Sequence, residues 1–593
     1  MRKLAFLFLS LFAFCTASAQ VTTSSMSGRV ADTDGQPIIG ATIVAVHTPT
    51  GTQYATASTR NGQFNLGGMR VGGPYDVEVS FIGCNTEKIE GIYLTIGEEA
   101  TLDFVLREDS QSIGEVVVVG KANPVFNANR TGAQEVVTLE MMEKLPTTSR
   151  SLDEFVKLTP MSSGKNFAGT SYRFNNVTVD GASFNNSFGL SSALGAQGTE
   201  PISLESIEQV QVMIAPYDVR NGGFTGGGIN SVTKSGNNEW HASAYMYTKS
   251  PELQGRRVRD YVGQVSEFSN RQYGVSLSGP IVKNKLFFFV NGELDRQDEP
   301  ISNRLADSRV SAADLDDLAK FLGDQFNYNP GGYDLSKTET RADRLTARID
   351  WNINDRNTFS LKYYYLKSYN TNAPSTSGAP ANGRGPNAYA MPFSSSYYRT
   401  NNDFNIVMAD WNSTINDHMS NTLKVGYSRL RDYRDMDGGF FPQVDILKDG
   451  SSYTVFGTEA NSYNNQLDTD IFQIQDNFTM NYGRHQITVG TQSDYRSFSN
   501  GFAQNYPGSW VFSSIDDFKF NVLAAKDYMA SHGNMTGFDI TKYKPSDFGL
   551  TGVVNGGLAN SAGTGQTHYL QKYSLMEGFP FAEIDVLQLG FYV

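Results

Sequence analysis

Leu345-Thr-Ala-Arg-Ile-Asp-Trp-Asn-Ile353 runs into Asn354-Asp-Arg-Asn357 and out again through Thr358-Phe-Ser-Leu-Lys-Tyr-Tyr-Tyr365. Leu345, Ala347, Ile349, Trp351 and Ile353 alternate with polar neighbours, and Phe359, Leu361, Tyr363 and Tyr365 resume the alternation past the turn. Successive side chains of a strand point to opposite faces, so both arms carry one apolar and one polar face. The connection is too short for anything but an antiparallel hairpin. Each arm is about ten residues long, the length a tilted strand needs to cross a bilayer.

The pattern recurs on both sides of this hairpin. Trp240, Ala242, Ala244 and Met246 alternate, as do Tyr273, Val275 and Leu277, then Leu286, Phe288 and Val290. Val407, Ala409 and Trp411 turn at Asn416-Asp-His418 into Leu423, Val425 and Tyr427. Phe472, Ile474, Phe478 and Met480 turn at Gly483-Arg-His485 into Ile487 and Val489. Long polar stretches near 298–340, 370–400, 434–468 and 500–585 separate the hairpins. Strict alternation of tight turns with long loops is the asymmetry of a membrane barrel with short periplasmic turns and long external loops. A soluble sandwich has no reason to sort its connections this way.

Composition agrees. Aromatic residues make up 12%, with 30 Tyr, 38 Phe and 57 Gly, while charged residues are only 18%. The mean hydropathy of −0.36 does not oppose a membrane, because barrel strands average out in hydropathy. A net charge of −13 argues against nucleic acid, whose binders present a basic face.

The other segments read in order. Residues 1–19 form a signal peptide: Arg2 and Lys3, an apolar run from Leu4 to Cys15, and Ala17-Ser-Ala19 ahead of cleavage between Ala19 and Gln20. Residues 20–110 carry short alternating strands with tight turns at Asp32-Thr-Asp-Gly35 and Arg60-Asn-Gly62, the pattern of a small β-sandwich. Asp32-x-Asp-Gly lacks the later ligands of a calcium loop, so it reads as a hairpin turn. Cys84 is a lone thiol once the signal is removed, and reads as a small buried residue. Residues 111–132 are a linker around Glu115-Val-Val-Val-Val-Gly120. Four valines between polar flanks form either a last strand of the sandwich or a strand offered to another protein's sheet.

Residues 133–238 form a mixed α/β unit. Helices are expected at 138–145 and 151–158, strands at 176–179 and toward 212, and a glycine-rich run closes the unit at 221–236. No lysine follows Gly226-Gly-Gly228 at phosphate-loop spacing, so these glycines read as backbone forced close to a neighbour. Residues 239–593 form an incomplete barrel of about ten strands, where plugged transporters have about 22. Val586–Val593 reads as a further strand, which suggests a fragment or a truncated gene product. The expected fold class is mainly β: a small sandwich, a mixed α/β plug, and a partial antiparallel transmembrane barrel.

Taken together and in this order, these segments resemble the TonB-dependent receptors of the Bacteroidetes type, most closely the Oar-like branch related to SusC and RagA. The first domain resembles the carboxypeptidase-regulatory-like domain. The resemblance rests on Gly28-Arg-Val30, Thr59-Arg-Asn-Gly-Gln-Phe64, Glu115–Gly120, Arg150-Ser-Leu-Asp-Glu-Phe155, Val179-Asp-Gly181 and Gly226–Gly236. It implies a TonB box at Glu115, Val116, Val117, Val118 and Val119, placed between regulatory domain and plug. It also implies plug motifs at Asp180, Gly181, Gly226, Gly227, Gly228, Asn230, Thr233 and Lys234. The implied partners are TonB with its inner-membrane energising complex, outer-membrane lipid, a small-molecule, glycan or peptide ligand, and a surface lipoprotein. The implied site is the Gram-negative outer membrane, with the first domain periplasmic.

The implied function is energised uptake; a surface-binding or adhesion protein without transport is the alternative. Enzyme chemistry has no support in sequence: His47, His241, His418, His485, His532 and His568 lack paired-ligand spacing, and no G-x-S-x-G elbow occurs. No cofactor and no metal are expected. Asp314, Asp316 and Asp317 fall on an amphipathic helix of an external loop and read as a solvated face rather than metal capture. Tyr363–Tyr365 and Tyr397–Tyr398 read as interfacial girdle aromatics or as stacking surfaces for sugars and peptides.

Overall fold

The computed structural model describes residues 21–108, 116–119, 133–145, 147, 150–163, 166–185, 194–195, 199–216, 218–301, 303–482, 485–553, 558–559, 566–567 and 569–593. The first unit is a sandwich. β1 (Ser24–Asp32), β2 (Thr42–His47), β3 (Thr52–Ala57), β4 (Gln63–Met69), β5 (Gly72–Ser80), β6 (Glu87–Leu94), β7 (Glu99–Thr101) and β8 (Phe104–Leu106) divide between two sheets. One has the order β4-β1-β7 with β8 also on β1; the other runs β3-β2-β5-β6. Their inward positions, among them Met26, Val30, Ile43, Val77 and Phe104, close one apolar core. Gly28 is glycine because a Cβ there would lie 1.7 Å from the Leu102 carbonyl oxygen. The Asp32 carboxylate accepts from the backbone N–H of Asp34 (2.9 Å) and Gln36 (2.8 Å), so the acidic turn spends its charge on its own backbone.

A ninth strand joins this unit. β9 (Val116–Val119) lies on the edge of the second sheet, parallel to Glu87–Glu90 of β6. Of the two readings left open by the valine run, this conformation takes the first: the segment completes the sandwich.

The second unit starts with β10 (Ala133–Thr138), α1 (Leu139–Lys144) and α2 (Leu152–Val156), the latter shorter than its sequence suggested. β11 (Asn176–Val179), β12 (Ala182–Ser183), β13 (Ile207–Ala215) and β14 (Gly228–Thr233) complete a sheet of order β10-β13-β14-β11-β12. β11 and β14 run parallel, and the other pairs are antiparallel.

The third unit is a wall of ten antiparallel strands. It comprises β15 (His241–Lys249), β16 (Ser269–Val282), β17 (Leu286–Pro300), β18 (Lys337–Asn354), β19 (Asn357–Asn372), β20 (Tyr398–Asn416) and β21 (Met419–Asp435). Within the next external excursion lie β22 (Gln443–Lys448) and β23 (Ser451–Phe456); the wall then resumes with β24 (Gln466–Tyr482) and β25 (His485–Gly501). β26 (Ser509–Phe512) and β27 (Tyr569–Lys572) belong to the last excursion, and β28 (Phe581–Tyr592) is the tenth wall strand. Ile349, Trp351, Leu361, Val407, Trp411 and Phe472 lie exposed on the outer face, as the alternation requires. The opposite face carries Arg344, Arg348, Asp350, Lys362, Asp410 and Lys424, all buried. What buries them is the second unit together with the start and the Arg70 edge of the sandwich; Phe184 of the second unit sits edge-on to Tyr364 (5.8 Å) and Phe404 (5.3 Å) of the wall.

The long connections are not loose polar loops. α3 (Ala312–Phe326), α4 (Ile515–His532) and the sheet β23-β22-β26-β27 assemble into a cap with its own core, including Leu315, Leu318, Phe393, Tyr453, Phe456 and Phe518. Asp314, Asp316 and Asp317 are spent within this cap: they accept from Tyr453 (2.5 Å), Tyr333 (2.7 Å) and Lys519 respectively. Of the tyrosines read as surface aromatics, Tyr364 instead points inward and Tyr397 is buried at the base of the cap. Their positions on the polar phase of the strand and beneath the cap core withdraw them from lipid and solvent alike.

Candidate functional site: the seam between plug and wall

Val179-Asp180-Gly181 makes a two-residue hairpin between β11 and β12. Asp180 (φ 52°) and Gly181 (φ 88°) both adopt positive φ, the requirement of the hairpin turn that suits strand twist best, and Asp-Gly is its preferred sequence. The turn drives Asp180 against the wall, where it is fully buried. Its carboxylate accepts from the Thr233 hydroxyl (2.5 Å) and from the Tyr364 hydroxyl, and lies 3.4 Å from the Lys362 ammonium. Lys362 also pairs with Asp410 at 2.5 Å, and Arg348 pairs with Asp350 at 2.8 Å while donating to the Thr233 carbonyl at 2.7 Å. Gln473 donates to the Gly181 carbonyl at 2.9 Å.

Charge balance explains the arrangement. Arg348, Lys362 and Lys424 of the wall, joined by Arg70 of the sandwich, outnumber Asp350 and Asp410, and Asp180 adds a third carboxylate from the plug. Burial by itself raises a carboxyl, yet Lys362 and Arg348, helped by the hydroxyls of Thr233 and Tyr364, hold Asp180 below the usual carboxylate range.

The other plug motifs act through space or geometry. A Cβ on Gly226 would lie 2.4 Å from the Asn175 side-chain oxygen, on Gly227 2.3 Å from the Phe167 ring, and on Gly228 2.9 Å from the Phe224 ring. Close backbone approach, not a phosphate cradle, accounts for the glycine run. Asn230 donates to the Val21 carbonyl at 2.7 Å, tying the plug to the start of the sandwich. Lys234 lies 3.6 Å from Glu205, which also faces Arg150 at 3.5 Å. Arg150 in turn lies over the Tyr247 ring of the wall at 3.8 Å. A second wall cluster, Glu293, Asp295 and Arg344, meets the plug through Ser203 (2.7 Å to Glu293) and the Glu200 carbonyl (2.6 Å from Arg344). Sequence reasoning missed these wall residues. Their signal lay in the polar phase of the strand alternation, which holds arginine, lysine and aspartate where serine and threonine would satisfy the pattern.

Glu115, Ala19 and Gln20 lie outside the described residues. Val116–Val119 lie on the sandwich edge, paired with Glu87–Glu90 of β6. Among the described residues no group of three or more His, Cys, Asp or Glu is placed to hold a metal.

The sandwich reaches the same seam from the tight-turn side. Arg70 pairs with Asp350 at 3.1 Å and donates to Ser235 at 3.2 Å, and Asn352 donates to Thr52 at 2.8 Å. Between the three units lies a polar cavity of about 170 Å³ lined by Thr22, His47, Arg70, Glu208, Arg348 and Asp350, among others. His47 is buried, with Nδ1 2.7 Å from the Thr50 hydroxyl. Burial first and Arg70 second push its pKa down to about 3. Because the folded value lies below the unfolded one of about 6.5, this histidine favours folding fully above that pH, and the contribution shrinks as pH falls toward 3. Hydrogen exchange of the β2 amides in the whole protein, corrected for intrinsic rates, is therefore expected to lose about 2 kcal/mol of protection between pH 7 and pH 5. His47→Gln should abolish that pH dependence; persistence of the loss in the variant would refute the assignment.

A wall of membrane-length strands with an apolar outer face, carrying a plug on its polar face and joined to a small sandwich, defines a transmembrane β-barrel protein of the plugged class. Residues 25–107 match the carboxypeptidase regulatory-like domain, and two overlapping stretches, 232–316 and 299–533, match the outer membrane beta barrel domain over more than half of the chain. The chain belongs to the outer-membrane β-barrel family, and its place is the outer membrane of a Gram-negative cell. It is 26% identical over 276 residues to the TonB-dependent transporter Oar of Myxococcus xanthus, covering 42% of this chain and 25% of that protein. It is 25% identical over 249 residues to the probable TonB-dependent siderophore receptor PirA of Acinetobacter baumannii, covering 38% and 28%. With the TonB-dependent receptor SusC of Bacteroides thetaiotaomicron it shares 31% over 175 residues, 30% of this chain and 14% of that one. Among solved structures, the outer membrane transporter YddB from Escherichia coli superposes with a TM-score of 0.46 at 14% identity, over 64% of this chain and 50% of that one. The matched regions thus span about a quarter or less of the length of Oar and SusC.

Proposed function

We propose that the chain belongs to an energised outer-membrane receptor that takes up a small-molecule, glycan or peptide ligand. The observation that carries this reading is a folded plug seated on the lumen face of a transmembrane wall, with a valine strand placed ahead of it on an open sheet edge. A permanent stopper would need only a continuous apolar core. Here the plug also meets the wall through ion pairs and hydrogen bonds, which water can replace when the plug moves. The named relatives, TonB-dependent transporters and receptors, support the same reading. Strand addition is how Val116–Val119, with Glu115, would engage TonB: main-chain hydrogen bonds supply affinity irrespective of side chain. A surface lipoprotein that delivers ligand is a further partner of this reading.

Deletion of Glu115–Val119 tests it. In cells carrying the full-length gene as their only copy, labelled ferric siderophores, oligosaccharides and peptides would be offered in turn. Uptake of the accepted probe is expected to fall to background while binding at the cell surface stays intact. Undiminished uptake by the deletion strain would exclude energised import through this segment. Surface binding without uptake in the unmodified strain would favour the adhesion alternative.

A further inference from the structure

The sandwich meets four successive tight-turn ends of the wall. A Cβ on Gly51, in the turn between β2 and β3, would lie 2.5 Å from the Asn284 side-chain oxygen. Thr52 accepts from Asn352 at 2.8 Å, and Thr56 donates to the Asp417 carbonyl at 3.4 Å. Asn481 donates to Asn65 of β4 at 3.4 Å. The sandwich therefore sits across the tight-turn mouth of the wall, and the plug, seated on the lumen face, has the sandwich at that end.

Its grip on the plug is built apart from its own core. Val71 and Ile96 of the sandwich form a small buried cluster with Val136 and Val232 of the plug, and neither sandwich residue belongs to the sandwich core. Beside this cluster, Gln209 of β13 clamps the connection that follows β6. Its Nε2 donates to the Leu94 carbonyl at 3.1 Å, and its Oε1 accepts from the Ile96 N–H at 3.0 Å. Gln211 donates to the Ile96 carbonyl at 3.2 Å. Arg70 forks between the wall, at Asp350, and the end of the plug, at Ser235. The seat is thus specific in position but small, with four apolar side chains ringed by polar contacts. Polar interfaces of this kind between domains of one chain let the domains separate, whereas a large apolar one would weld them. Each hydrogen bond lost on separation is exchanged for one to water, so its net contribution is modest. β6 leads into the grip on Gln209 and also carries Val116–Val119 along its first half, so the segment proposed to bind TonB shares a strand with that grip.

We infer that the sandwich is a reversible, autoinhibitory clasp: seated across the tight-turn mouth it holds the plug against the wall, and the plug moves only after the sandwich has lifted. The inference stands on the contacts among the three units, whether or not the protein imports a ligand. The test accordingly uses the full-length protein in detergent, with no energy source and no TonB. Hydrogen exchange at constant pH is followed on the plug strands β13 and β14 and on the sandwich strands β2 and β5. In Arg70→Gln/Ile96→Ser the plug amides are expected to exchange about tenfold faster than in wild type, while β2 and β5 keep their rates. Ile82→Ser makes the same change at an isoleucine 95% exposed on the same domain and should alter neither. If the double variant also loosens β2 and β5, Arg70→Gln alone replaces it, with a smaller acceleration confined to the plug. A tether supplies the opposite perturbation. Thr52→Cys/Asn352→Cys in a Cys84→Ser background, bridged by a short bismaleimide, should slow plug exchange below the wild-type rate. Unchanged plug exchange in a variant whose sandwich stays folded, equal acceleration by Ile82→Ser, or wild-type plug exchange in the bridged protein would each overturn the inference.

Discussion

Asp180→Ala is expected to loosen the plug from the wall by about 3–5 kcal/mol, the cost of leaving a buried charge network without one of its partners. The loss has two parts. Lys362 and Arg348, cross-strand neighbours in the wall, would be left without the plug carboxylate against them, and the hydroxyls of Thr233 and Tyr364 would lose their acceptor. Alanine would also have to adopt the positive φ of 52° that aspartate tolerates in this turn, adding about 1–2 kcal/mol. The readout is protease access to the plug in intact outer membranes, together with entry of a large antibiotic that a seated plug excludes. Asp180→Asn separates the parts, because asparagine keeps the turn and an acceptor for Thr233 but removes the charge. A wild-type result for Asp180→Asn would show that hydrogen bonding and turn geometry, not charge balance, hold the seam. The pH behaviour carries the same sign information. A carboxylate held below its unfolded value contributes fully above about pH 4 and is lost only as pH falls through its folded value, so the wild-type seam should stay closed at pH 5.

Gly236→Ala is the second large effect expected. This glycine ends the plug and enters the wall, where a Cβ would lie 2.4 Å from the Phe288 oxygen, 2.8 Å from the Gly279 oxygen and 2.9 Å from the Phe288 nitrogen. All three are backbone atoms of paired strands, which cannot rotate aside as a side chain can. Overpacking of this kind costs about 1–3 kcal/mol, and the rigid neighbours place it at the upper end. The expected result is a lower yield of protein with folded, heat-modifiable mobility. Gly292→Ala is the matched control: it lies in β17, and a Cβ there meets nothing within 4 Å. Equal yields from the two substitutions would mean that the plug exit does not press on the wall.

Both predictions bear on one design feature. The plug shares an apolar core with the wall, through Phe184, Tyr364, Phe404 and Ile406, yet its motif residues bond to charged wall side chains. Apolar burial fills the lumen face without specifying one seat, while a buried ion pair penalises every misplaced one. The specificity is thus concentrated where the Asp180-Gly181 hairpin touches the wall.

The local signals in the sequence determined a good deal. Alternation over Leu345–Tyr365 and its repeats determined the strands, their lipid face and the side on which the tight turns lie, because each depends only on a two-residue period and on turn length. Asp180-Gly181 determined its own hairpin for the same reason. Only the tertiary structure decided what the polar phase of those strands is for. Arg348, Lys362 and Lys424 become a site when a segment well over a hundred residues away supplies Asp180, and no local period encodes that meeting. Nor does a local period encode the cap, whose core joins Leu315, Phe393, Phe456 and Phe518 from separate excursions that each look like polar loop alone. The placement of Val116–Val119 was decided the same way: four valines specify an edge-seeking strand, and the open side of β6 determines which edge it finds here.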